Sequence, residues 1–465
     1  MIPTPDRESL ERWDRDHVWH PFTPMQVYQT ERPLIIREAH GCFLVDLDGR
    51  EYLDGVSSLW CNVHGHRVPA IDQALRDQID RVAHSTLLGL ANVPSVLLAR
   101  RLVEAAPPGL TRVFYSDDGA TAVEVALKMA FQFWRQTSPA RPEKTQFLSL
   151  TAAYHGDTLG DVSVGDLARF HHLFAPLLFP TLRAPAPYCY RCPLGKERGS
   201  CAIDCGDVLA DMVRQHADTL AAVVIEPLVQ GAAGMITAPD GFLRRVREVT
   251  RECDVLLIAD EVAVGFGRTG SLFACQQEDV TPDFLCLAKG ITGGYLPLAA
   301  TLTTERVFEA FLGAPDAGRT FFHGHTYTGN PLGCAAALAS LDLLQAPDGL
   351  PALGPKVERL AAHLDRLRTI PLVGDVRQRG LMAGIELVRD RTTREPFPPR
   401  LRVGWQVCRR CRDEGVLLRP LGDVIVVMPP LAITPELIDR LGTVLERAIR
   451  QVADEVEGQL AEAMS

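Results

Sequence analysis

The chain contains no apolar run approaching the ~20 residues needed to cross a bilayer. Its hydrophobic residues make up 46% of 465 and are interspersed with 23% charged ones, an ordinary balance for a soluble globular protein. Basic excess is absent too. A formal net charge of −10 argues against nucleic acid or an anionic membrane as the main partner. No internal repeat, heptad run or low-complexity tract stands out, so solenoids and coiled coils are not indicated. The opening residues, with Asp6, Arg7, Glu8 and Arg12, lack the pattern of a signal peptide, and a cytoplasmic enzyme is the expectation.

Cysteine, in contrast, is plentiful, with twelve in all. Most stand singly in apolar stretches (Cys42, Cys253, Cys286, Cys334) and read as small core residues. Four do not. Cys189, Cys192, Cys201 and Cys205 form two close pairs in a Pro/Gly-rich loop. That spacing suits a zinc or iron–sulfur knuckle more than disulfides in a reducing compartment, but a merely tolerated cysteine loop is an equal alternative. Either role is structural, and no catalytic metal is expected.

The first seventy residues are expected to be an irregular arm followed by a β-meander over 34–37, 42–46 and 51–55, with Asp48-Gly49 as a hairpin turn. Helical periodicity covers 71–82 and 95–106, the second stopped by Pro107-Pro108. From about 110 to 305, apolar strands alternate with amphipathic helices. The strands fall at 112–115, 146–150, 221–225, 255–259, 284–287 and 298–302. Several are apolar throughout, which suits a mostly parallel sheet covered on both faces. Beyond the helix that begins near Pro331, strands at 374–379, 382–388 and 424–428 and helices at 402–414 and 435–453 indicate a smaller α+β unit. The expected division is 1–69 (arm and meander, joining the small domain), 70–340 (large domain) and 341–465 (small domain).

Chemistry concentrates at strand ends. Leu257-Ile-Ala-Asp-Glu-Val262 closes an apolar run with carboxylates, and Phe284-Leu-Cys-Leu-Ala-Lys-Gly290 closes another with an ammonium. A carboxylate that can hold a pyridinium nitrogen and a lysine that can bind an aldehyde are the two parts a pyridoxal phosphate site needs. Open α/β sheets place ligands at such ends. Taken alone, Lys289 is more often a solvated strand end and Asp260 a helix cap. Gly119 and Ala120 open a periodic helix and have little or no side chain, so their amides can approach a phosphate, with Thr121 as a possible hydroxyl. Ordinary capping by Asp117 or Asp118 is the plainer reading. Tyr154 could lie against a planar ring, Glu226 ends a strand before Pro227, and Thr326 is a second candidate phosphate donor. Arg419 is either exposed on a strand end or aimed into a cleft to fork a carboxylate.

In this order, the segments Leu257-Ile-Ala-Asp-Glu-Val262, Phe266-Gly-Arg-Thr-Gly270 and Lys289-Gly-Ile-Thr-Gly-Gly294 resemble the class III pyridoxal phosphate aminotransferases, with a likeness running from His17 to about Ala448. Within that class, Val18-Trp-His-Pro-Phe-Thr-Pro-Met25, Ser57-Ser-Leu-Trp-Cys-Asn-Val-His-Gly65, Tyr154-His-Gly-Asp-Thr158 and Arg419-Pro-Leu-Gly422 are similar to the branch that aminates 7-keto-8-aminopelargonate in biotin biosynthesis.

The resemblance implies a fold type I transferase, a large domain with a mostly parallel sheet plus a smaller α+β domain. It implies that Lys289 holds pyridoxal 5′-phosphate and shuttles the proton. Asp260 would pair with the ring nitrogen, Tyr154 would stack on the ring, and Gly119 and Ala120 would bind the phosphate. His325 and Thr326 would reach the phosphate from the neighbouring subunit of a homodimer with shared sites. Phe22, Leu59, Trp60, Tyr154, Lys289 and Gly324 would border the substrates, a small-molecule amino donor and a keto acid acceptor, and Arg419 would bind the acceptor carboxylate. Three positions depart from the better-known pattern: Phe22 for a tyrosine, Leu59 for a tryptophan, and Ala120 for a serine. The first two resemble a branch that uses lysine as donor, so S-adenosylmethionine and lysine both stay open. An ω-amino acid or diamine aminotransferase using pyruvate or 2-oxoglutarate is the alternative.

Overall fold

The computed structural model describes residues 5–464. Its centre is a seven-stranded sheet. The strands lie in the order Leu110–Ser116, Ala299–Thr304, Phe284–Leu287, Leu256–Asp260, Leu220–Ile225, Gln146–Leu150 and Leu182–Ala184. Ala299–Thr304 runs antiparallel to both of its neighbours, and the four remaining pairings are parallel. The strands Leu220–Ile225, Leu256–Asp260 and Phe284–Leu287 are buried at every residue, as continuous apolar runs between two layers require.

One of those layers is the helix Gly119–Gln136. Its Ala122, Val125, Ala126, Met129 and Phe133 pack with Phe147, Val224, Ile258, Phe284 and Cys286 of the sheet. Its N-terminus lies at the carboxyl edge of the sheet, because Leu110–Ser116 runs parallel to the central strands across the one reversed neighbour.

Two four-stranded sheets flank this core. One joins Val373–Arg379, Met382–Leu387, Val424–Val427 and Arg419–Leu421, all antiparallel. The other holds the meander Ile36–His40, Phe43–Asp46 and Glu51–Asp54, and Val416–Leu417 pairs with its last strand in parallel. The N-terminal meander is therefore stitched to the C-terminal part of the chain.

The expected elements differ from the structure in several places. The arm is not irregular throughout: Arg7–His17 is a helix capped by Asp6, which accepts from the Ser9 N–H at 2.9 Å. It buries no residue, so no apolar stripe announces it. The first meander strand begins at Ile36, and the 71–82 helix starts earlier, at Pro69, where proline suits the first turn. The last helix continues through Pro435–Met464. The edge strand Leu182–Ala184 is three residues long, too short to show a period.

Candidate active site

The carboxyl ends of the parallel strands converge on a cavity of about 750 Å³, within the span of about 300–1,000 Å³ usual for small-molecule sites. Gly119, Ala120, Tyr154, Asp260, Lys289 and Trp60 all line it, together with His155 and Glu226. Six of the residues expected from sequence are thus brought together from five separate segments.

Asp260 ends its strand with a buried carboxylate. His155 Nδ1 donates to its Oδ2 at 2.8 Å, and the Val262 N–H donates to Oδ1 at 3.0 Å. The adjoining Glu261 turns away and accepts from the Ala274 and Cys275 N–H groups, so the two neighbouring carboxylates have separate duties. Lys289 follows its strand with a backbone φ of +44°, a conformation that a lysine adopts only when its surroundings enforce it. Lys289 is half-buried at the cavity wall, enclosed by protein around its amine. That enclosure draws its pKa below the usual lysine range, against the opposing pull of Asp260 and Glu226. The Lys289 Nζ stands 5.6 Å from the centre of the Trp60 ring.

At the helix N-terminus both expected readings apply at once. Asp118 caps the helix by accepting from the Thr121 N–H at 2.9 Å, and the Thr121 hydroxyl closes the reciprocal bond to the Asp118 N–H at 3.0 Å. The Thr121 hydroxyl is therefore engaged within the cap. The amides of Gly119 and Ala120 remain at the cavity wall. A Cβ added to Gly119 would come within 2.5 Å of Val262 Cγ1, so the strand that carries Asp260 and the helix start are too close for a side chain there. Tyr154 reaches Asp157 Oδ2 through its hydroxyl at 2.9 Å.

Two residues were underrated from sequence. His155, given no role of its own within Tyr154-His-Gly-Asp-Thr158, is the partner of Asp260, and its Nε2 is buried without a partner. Glu226 accepts from the Tyr154 N–H at 3.2 Å and the Gly231 N–H at 2.8 Å. Burial pushes its pKa up to about 7. Glu226 gave only its placement at a strand end, and His155 only its place in Tyr154-His-Gly-Asp-Thr158.

The remaining expected residues lie outside the cavity wall of a single chain. Phe22 is 54% exposed and packs edge-on against Phe170, which in turn meets Tyr154. Leu59 is 49% exposed beside buried Trp60. Gly324, Thr326 and Arg419 are exposed. His325 Nδ1 stands 2.9 Å from Asp117 Oδ2, off the line of a hydrogen bond. Arg268, the one cation of its Gly-rich turn, is a buried staple that donates to the Pro429 and Asn62 carbonyls, each at 2.7 Å.

In the cysteine loop, Cys189, Cys192, Cys201 and Cys205 are free thiols around one small cavity. Among the described residues no group of three or more His, Cys, Asp or Glu side chains is set to hold a metal ion. Polar contacts fasten the loop to its surroundings. Arg191 donates to Glu386 at 2.7 Å, the Tyr188 hydroxyl donates to the same carboxylate, and Arg394 donates to the Tyr190 carbonyl.

The cavity suits a flat, anionic, nitrogen-containing aldehyde. It offers the Gly119 and Ala120 amides at a helix start, the first with no room for a side chain, a buried carboxylate fixed by His155, an aromatic ring and a lysine amine.

The Aminotransferase class-III family profile matches residues 25–449. The chain is 56% identical, over 97% of its length and 99% of the other, to the adenosylmethionine-8-amino-7-oxononanoate aminotransferase of Geobacter sulfurreducens. The crystal structure of the protein of that name from Methanocaldococcus jannaschii superposes with a TM-score of 0.92 at 44% identity, covering 96% of this chain and 99% of that one. An amine transaminase from an uncultivated Pseudomonas species, solved in its PLP-bound form, superposes at 0.89 with 36% identity, covering 94% and 99%. With sequence, fold and cavity in agreement, this chain belongs to the class III aminotransferases and is a pyridoxal-phosphate-dependent enzyme.

Proposed function

We propose that the enzyme transfers an amino group from S-adenosylmethionine to 8-amino-7-oxononanoate, giving 7,8-diaminononanoate, with lysine as the alternative donor. The observation that carries this reading is the 56% identity, over nearly the whole of both chains, to a relative named for that reaction. The fold alone does not separate it from ω-transaminases, since one from Thermomicrobium roseum superposes at 0.91.

In this reading Lys289 holds the cofactor and, once released by the incoming amine, takes and returns the proton at the substrate carbon. Its depressed basicity favours the neutral amine that this task requires. Asp260, oriented by His155, pairs with the ring nitrogen. Tyr154 stacks on the ring, and the Gly119 and Ala120 amides take the phosphate. Pyridoxal phosphate supplies the electron sink. Trp60, Leu59, Phe22 and Gly324 border the substrate, and Arg419 forks the acceptor carboxylate.

His325 and Thr326 complete the phosphate site of the neighbouring subunit in a homodimer. The exposure of Thr326, and that of Phe322 and Tyr327 in the same loop, supports that assembly. The reading includes a cytoplasmic location, which accords with the absence, among the described residues, of any helix long and apolar enough to cross a membrane. It also includes a large domain over 70–340 flanked by the arm and a C-terminal small domain.

The two half-reactions separate the donors. Donor alone should bleach the visible band of the bound cofactor, and 8-amino-7-oxononanoate should restore it. Bleaching by S-adenosylmethionine supports the principal donor, and bleaching by lysine only supports the alternative. Restoration by pyruvate or 2-oxoglutarate, but not by the oxononanoate, would replace the reading with an ω-amino acid aminotransferase.

A further inference from the structure

Within four residues, Ser57, Ser58 and Trp60 take φ values of +52°, +60° and +62°, none of them glycine. Ser58, with ψ −79°, lies near the strained γ-turn geometry. Side-chain-bearing residues hold such conformations only where the surroundings over-determine them, and such strain gathers at functional sites. The agent here is Asp54. Its carboxylate is wholly buried and takes the Ser58 N–H on both oxygens, at 2.9 and 2.8 Å, with the Ser58 hydroxyl at 3.3 Å. His66 Nε2 stands 3.3 Å from Oδ2 on the other side.

The turn is also tied to the small sheet. The Ser57 hydroxyl donates to the Met428 carbonyl at 2.7 Å, and the Met428 N–H donates to the Gly55 carbonyl at 2.9 Å. Met428 directly follows Val424–Val427, the strand on which Val426 pairs with Arg419. At its far end the turn delivers Trp60 into the cavity. A Cβ on Gly231 would lie 3.3 Å from the indole, and the Lys289 amine is 5.6 Å from the ring centre. The indole Nε1 is buried without a partner.

We infer that Asp54 is a positioning residue that sets specificity for the acceptor. By clamping the strained turn, it fixes the distance between the Trp60 wall at Lys289 and the strand pair that carries Arg419. This inference rests on the substrate reading above, which makes Trp60 and Arg419 the two ends of one site.

The test uses the holoenzyme with 8-amino-7-oxononanoate. Asp54→Asn should raise KM for that acceptor by about tenfold while kcat stays within about threefold and the cofactor band is unchanged. Adding Ser58→Gly should recover most of the KM, because glycine takes a φ near +60° without steric cost. A residue that only stabilised the fold would not be rescued in this way. Unchanged KM in Asp54→Asn, or a raised KM that Ser58→Gly does not recover, would overturn the inference. If Asp54→Asn fails to fold, Ser57→Ala, which cuts the tie to Met428, should show the same KM-selective loss, and an unchanged KM there would overturn it. Failure of the wild type to aminate 8-amino-7-oxononanoate would strike the functional reading instead. The same comparison would then be made with whichever acceptor the wild type does turn over, with the same two results deciding it.

Discussion

Glu226 enters the cavity wall with its carboxylate enclosed, and that enclosure, more than any neighbouring charge, governs its protonation. Its folded-state pKa of about 7 lies above the ordinary 4.5. The stability it contributes is therefore fully present below about pH 4.5 and is lost as pH rises through about 7, a change of order 3 kcal/mol. Glu226→Gln removes this ionisation. Between pH 5 and 8 the melting temperature of the cofactor-free variant should fall less than that of wild type, measured by scanning calorimetry. An equal fall in the two proteins would show that Glu226 ionises without penalty. At this scale the sequence disclosed residue types and strand-end positions, which is how Asp260 and Lys289 came to be singled out. It did not disclose partners. Nothing in Tyr154-His-Gly-Asp-Thr158 says that His155 is bonded to a carboxylate 105 residues away, because that contact exists only once the sheet brings both segments to one edge, with Leu220–Ile225 between their strands.

Among the elements, the helix Gly119–Gln136 has the most consequential start. Its first residue stands where a Cβ would press on Val262, so glycine is required there by close approach. Gly119→Ala should force the helix start away from the Asp260 strand and weaken pyridoxal phosphate binding by about tenfold or more, followed by titration of the visible band. Retention of full affinity would mean that the amide cradle lies elsewhere. Fully apolar strands such as Leu220–Ile225 were legible because burial on both faces leaves an unbroken run. The helix Arg7–His17 was not, since it buries nothing and has no apolar stripe to betray it. Leu182–Ala184 shows the other limit, for three residues set no period and their strand identity comes from pairing with Gln146–Leu150.

For the molecule as a whole, the meander near the N-terminus and the strands near the C-terminus meet through the pairing of Val416–Leu417 with Glu51–Asp54, and Arg268 pins the Asn62 and Pro429 carbonyls together across that junction. Such long-range ties are invisible in a linear reading, in which Arg268 is one residue of Phe266-Gly-Arg-Thr-Gly270. The order of motifs along the chain was nevertheless legible, and it pointed to the family that the comparisons support. The substrate end of the site was less so: Phe22, Leu59 and Arg419 stand exposed in one chain, outside the cavity wall. The central claim is that this cavity, through Lys289, aminates 8-amino-7-oxononanoate. Its most direct test is to incubate holoenzyme with that acceptor and S-adenosylmethionine or lysine and quantify 7,8-diaminononanoate by mass spectrometry, beside Lys289→Ala. The account expects stoichiometric product from wild type with one of the donors and a loss of several orders of magnitude in the variant. Absence of product from wild type with both donors, while a simple ω-amine is turned over with pyruvate, would contradict it.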